Sequence, residues 1–80
     1  MEKEIVIKAF EKAFPPVFAR CHTAKLSGGL INERSLANKM SRGEGPEFFK
    51  IGRKVGFSRE VFLEWLVDHI EIVNDLNTDE

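Results

Sequence analysis

Between Asn32 and Arg42 the chain spaces side chains that suit the edges of nucleic-acid bases: Asn32, Arg34, Ser35, Asn38, Lys39 and Arg42. An arginine guanidinium bonds guanine through two hydrogen bonds, an asparagine amide bonds adenine in the same way, and a serine hydroxyl serves either base. Further along, Lys50, Arg53 and Lys54 bracket Gly52. Cations at that spacing suit phosphate. They add affinity by releasing counterions and carry little sequence information.

The distribution of charge favours this chemistry, although the total does not. The 80-residue chain has a formal net charge of −1. Residues 1–19 are balanced, with three lysines and three glutamates. Residues 20–59 hold nine Lys or Arg against three Glu, net +6, and residues 60–80 hold seven acids with no Lys or Arg, net −7. A near-neutral average therefore conceals a basic middle that suits phosphate and an acidic end that phosphate repels.

Other chemistries find little support. Cys21 is the one cysteine, so it forms no internal disulfide, and nothing beside it activates a thiolate; it is expected to be buried. His22 and His69 have no metal-binding companions at usable spacing. Gly43-Glu44-Gly45 runs into Pro46 instead of opening a helix, so it is no phosphate loop. No catalytic site, metal or cofactor is expected. No apolar run approaches the ~20 residues of a membrane span, and the amino end lacks the layout of a secretion signal. The reading is a cytoplasmic, nucleoid-associated protein without membrane partners. A chain this short buries only about 60 % of its unfolded surface, so it forms one domain with a thin core.

The elements that must position these residues follow from periodicity. Ile5, Ala9 and Ala13, and Val6, Phe10 and Phe14, recur every four residues, which predicts a helix over 2–14, with a strand over the β-branched run at 5–7 as the alternative. Pro15-Pro16 stops it. A second, short helix is expected from Ala19 to Ser27, ended by Gly28-Gly29, after which Leu30 and Ile31 dip into the core. Asn32 caps a third helix, Glu33 to Arg42, which buries Leu36, Ala37 and Met40 and ends at Gly43. In FFKIGRKVGF, reversal at Gly52-Arg53-Lys54 predicts a β-hairpin with a basic tip and with Phe49, Ile51, Val55 and Phe57 on one face. Gly56 leaves room beside the tip for close approach of a ligand. Ser58 caps a last helix from Arg59 to about Leu76, roughly 27 Å long. Trp65 lies on its apolar stripe and reads as core. Ile70, Val73 and Leu76 are placed to cover Phe10 and Phe14.

Residues 19–66 resemble the excisionase-type helix-turn-helix proteins, relatives of the MerR-type DNA-binding domain. The features in common are Ala24-x-Leu26, Ser35-Leu36, the exit Arg42-Gly43-Glu44-Gly45-Pro46, the Lys50–Arg53 segment and Trp65-Leu66. The chain departs from the family at Gly56-Phe57, where a polar or basic residue and a tyrosine are usual, and in the longer turn Gly28–Ile31. Residues 2–14 lie outside the likeness.

The resemblance implies a winged helix-turn-helix with a small two-stranded hairpin over residues 19–66; with the N-terminal helix (1–14) and the long C-terminal one (67–76) expected from periodicity, the fold is mainly α. It implies sequence-specific binding of double-stranded DNA, in transcriptional regulation or as a recombination directionality factor of a mobile element. A recombinase or RNA polymerase is the further partner it implies, with a homodimer or cooperative assembly on DNA left open. The alternative is a protein-interaction module that uses the same scaffold and docks a partner on its acidic C-terminal helix.

Overall fold

The computed structural model describes residues 1–73. Helix α1 spans Lys3–Ala13 and ends where Phe14 turns extended ahead of the two prolines. Strand β1, Val17–Ala19, follows. A 3₁₀ turn, Arg20–His22, leads into the four-residue helix α2, Thr23–Leu26. The single helix expected from Ala19 to Ser27 is therefore divided, and its first residue belongs to a strand. The prolines hold the chain extended as it leaves α1, and Phe18 then finds a cross-strand partner in Phe57.

Helix α3 spans Glu33–Ser41. Asn32 caps it, its Oδ1 accepting from the Ser35 backbone N–H at 2.9 Å. Helices α2 and α3 end alike. The N–H of Gly29 bonds the Ala24 carbonyl at 2.7 Å and that of Gly28 bonds Lys25; the N–H of Glu44 bonds the Lys39 carbonyl at 2.8 Å and that of Gly43 bonds Met40. These are paired Schellman closures, which need a residue at positive φ, and Gly28 and Gly43 supply it at 70° and 74°. Ser27 stitches the turn between the helices: its buried Oγ donates to the Ala24 carbonyl and accepts from the Ile31 N–H. Ile31 packs against the core as expected, but Leu30 is 78 % exposed, because the two glycines carry it past the core edge. Cys21, expected to be buried, is exposed on the 3₁₀ turn.

Strands β2, Phe49–Ile51, and β3, Lys54–Ser58, pair antiparallel, and β1 pairs with the other edge of β3, giving a three-stranded sheet of order β1-β3-β2. The expected two-stranded hairpin is thus extended by a third strand. The turn has two residues, Gly52 at φ 63° and Arg53, so Ile51 lies opposite Lys54 and Phe49 opposite Gly56. Glycine at the first turn position is the II′ pattern. This register corrects the expected grouping of Phe49, Ile51, Val55 and Phe57. Because side chains alternate along a strand, Phe49 and Ile51 face away from Val55 and Phe57.

The core lies on the Phe57 side of the sheet. Phe14, Phe18, Phe57 and Phe62 form an aromatic cluster with centroid separations of 4.7 Å (Phe14–Phe18), 5.2 Å (Phe18–Phe62) and 5.1 Å (Phe57–Phe62). Aromatic pairs at such distances contribute about 0.5–1.5 kcal/mol each beyond area burial. Leu36, Leu63 and Leu66 complete the cluster.

Helix α4 runs Arg59–Leu66, with the Ser58 Oγ accepting from the Val61 N–H as cap. It stops well before Leu76. A 3₁₀ turn, Val67–His69, follows, and Ile70 is extended. The last turn of α4 holds no base, and Asp68 lies just beyond it, so the helix dipole is opposed at that end. Ile70 packs against the core, whereas Val73 is exposed. The expected contribution of Leu76 lies outside the described residues. Among the described residues no helix is long and apolar enough to cross a membrane.

Candidate nucleic-acid interface

Helix α3 presents two faces. Leu36 is buried, Met40 is half-buried against the core, and Ala37 is half-buried. Arg34, Ser35, Asn38 and Arg42 are exposed, and Lys39 is half-buried at the boundary. This division follows from a sequence in which Leu36, Ala37 and Met40 form one narrow apolar stripe and Arg34, Ser35, Asn38, Lys39 and Arg42 are polar.

The remaining hydrogen-bonding capacity of these groups differs. Arg34 and the Asn38 side chain have no protein partner among the described residues. The Asn32 carbonyl oxygen is committed to the cap, which leaves its amide NH2 free to donate. The Arg42 Nη2 lies 3.3 Å from the Glu44 Oε1. Both side chains are more than half exposed, so this ion pair contributes little stability and a phosphate can compete for the guanidinium.

The hairpin cations are exposed but do not share a face. Lys50 lies opposite Val55 and projects from the core side of the sheet, whereas Lys54 lies opposite Ile51 and projects from the outer side. Arg53 occupies the turn. Arg53 and Lys54 border a cleft of about 140 Å³ whose other wall includes Arg20 and Glu33. The hairpin tip thus stands beside the N-terminal end of α3, where base-reading residues are wanted.

Arg20 joins this group, although motif reasoning did not single it out. Its Nη1 lies 3.8 Å from the Met40 sulfur, so the side chain crosses toward α3. Its place in the basic middle segment was the available signal. Arg59, from the same segment, does something else. Its Nη1 donates to the carbonyls of Phe14 at 3.0 Å and Glu11 at 3.3 Å, closing the C-terminal end of α1. Its charge is spent inside the fold.

Two contacts hold the exit of α3. The Trp65 Nε1 donates to the Glu44 carbonyl at 3.0 Å, and its ring packs on Phe62 and His69. Trp65 is thus half-buried core, as read, with a polar tether besides. Gly45 lies so close to α3 that a Cβ there would come within 2.5 Å of the Met40 Cγ. Gly56 has a different role from the one expected. The space above it is filled by the Phe49 ring and is not open to a ligand.

No protein-family model, curated protein or solved structure matches this chain.

Proposed function

We propose that the chain binds duplex DNA in a sequence-specific manner, as a winged helix-turn-helix in which α2 and α3 form the helix pair and the β2–β3 hairpin is the wing. The observation that carries this reading is the juxtaposition of the exposed α3 face, Arg34, Ser35 and Asn38, with the Arg53-Lys54 tip beside the same helix end. A helix presented in this way fits the major groove, and the tip reaches flanking phosphate or the minor groove. Asn32 and Lys39 lie at the margins of the reading face, and Arg42 and Lys50 serve as phosphate contacts.

The resemblance to excisionase-type proteins extends this reading to regulation of transcription or direction of recombination in a mobile element, with a recombinase or RNA polymerase as protein partner and a cytoplasmic, nucleoid-associated location. Selection of bound duplexes from a random pool at low salt tests the reading. Enrichment of a common motif supports it, and absence of any retained duplex overturns it.

A further inference from the structure

A groove lies away from the basic surface, between α1 and α4. It encloses about 650 Å³. Ile7, Leu63 and Val67 give it an apolar floor, and Glu11, Glu60 and Glu64 line its walls. On α4, Glu60–Glu64 is an i,i+4 pair, Val67 follows Leu63 at the same spacing as the first residue of the 3₁₀ turn, and on α1 Ile7–Glu11 is another such pair. Apolar and acidic side chains of both helices therefore meet in the one groove. Among the described residues the groove is incompletely closed. No residue of the eleven-residue α1 is fully buried, and Ile7 remains half-exposed at the groove floor.

The placement of the acids runs against local stability. Glu11 and Glu64 are each the third residue from the end of their helix, where the macrodipole disfavours a negative charge. Glu60 and Glu64 form a like-charge i,i+4 pair, which weakens a helix. Among the described residues the one ion pair is Arg42–Glu44, so none of these three carboxylates is held in a salt bridge. The single cation of the groove, Arg59, is engaged by the carbonyls of Glu11 and Phe14.

We infer that the α1–α4 groove docks a basic, amphipathic helical segment of a partner protein. Apolar side chains of that segment fill the floor over Ile7, Leu63 and Val67, and its Lys or Arg side chains meet Glu11, Glu60 and Glu64. Charge complementarity selects this occupant. A second copy meeting it groove to groove would bring the same acids and be repelled. The basic α3 face of a copy has its apolar side packed in its own core. Duplex DNA or an anionic bilayer would be repelled as well. The surface shares no residue with α3 or the hairpin tip, so the inference stands independently of DNA binding.

The test uses the full chain and a synthetic Leu/Lys helix of about five turns, followed by amide chemical shifts. A Leu/Glu peptide of the same pattern is the control. Saturable shifts centred on Ile7, Leu63 and Val67 with the basic peptide alone are expected. The double variant Glu11→Lys, Glu64→Lys should bind it at least about tenfold more weakly, since two surface pairs become repulsive. Both substitutions place a cation near a helix C-terminus, so the variant should melt no lower than the parent. Equal binding by parent and variant, equal binding of the acidic peptide, shifts centred on the sheet, or no saturable shift would each overturn the inference.

Discussion

Phe49 lays its ring across Gly56, its partner in the hairpin register, so closely that a Cβ on Gly56 would stand 2.7 Å from two ring carbons. The glycine weakens a strand interior by leaving backbone uncovered, and the ring covers it. Gly56→Ala should therefore force the ring outward and cost about 1–3 kcal/mol. In the Phe49→Ala background the same substitution should cost much less, because the two residues share one space. Urea unfolding of the two single variants and the double variant measures the coupling. Additive losses would show that the ring does not rest on the glycine in solution.

Arg59 separates structural from functional charge. Its guanidinium donates to the Phe14 and Glu11 carbonyls, and its backbone N–H bonds the Pro16 carbonyl at 2.8 Å. Hydrogen bonds from a charged group to a helix end contribute about 1.5–3 kcal/mol. Arg59→Gln should lower the unfolding free energy by roughly 1–2 kcal/mol, with DNA affinity unchanged under conditions where the variant is folded. A parallel loss of affinity would place Arg59 on the DNA surface instead.

How much of this was legible in the residues depended on how local the cause was. The Asn32 cap, the Gly28 and Gly43 exits and the proline stop are each decided within a few residues, and they stand where the pattern placed them. Strand β1 was invisible because three residues carry no periodicity; it exists because Phe18 meets Phe57 across nearly forty positions of chain. The face of Phe49 and Ile51 depended on whether the reversal took two residues or three, and one residue inverts a strand. The end of α4 was hidden by apolar spacing that continues past Leu66 while the charges turn against the helix. In the site, exposure of Arg34, Ser35 and Asn38 followed from the burial of Leu36 between them. The divergence of Lys50 and Lys54 and the diversion of Arg59 required the register and the fold.

Asn32 tests whether the reading face can be dissected from the helix that carries it. Its Oδ1 accepts from the Ser35 N–H, so Asn32→Ala should cost about 0.5–2 kcal/mol of stability. Asn32→Asp keeps the acceptor, removes the amide donor and adds a negative charge where the dipole welcomes one. It should preserve the thermal midpoint while weakening DNA binding, since carboxylate repels phosphate. Melting curves beside duplex titrations check both halves. A stable Asp variant with undiminished affinity would remove Asn32 from the interface.

Arg34 and Asn38 face solvent without protein partners among the described residues, whereas Lys54 stands on the outer side of the hairpin beside the turn. The two groups should therefore fail differently. Arg34→Ala and Asn38→Ala should each lose about 1–3 kcal/mol of discrimination against a wrong base, and the selected motif should relax at one position per variant. Lys54→Ala should weaken selected and random duplexes alike and reduce the slope of log affinity against log salt by about 1, the signature of one lost phosphate contact. Titrations of each variant on both duplexes across a salt series separate the outcomes. If Lys54→Ala altered the motif, or Arg34→Ala weakened every sequence equally, the assignment of reader to α3 and anchor to the hairpin would have to be exchanged.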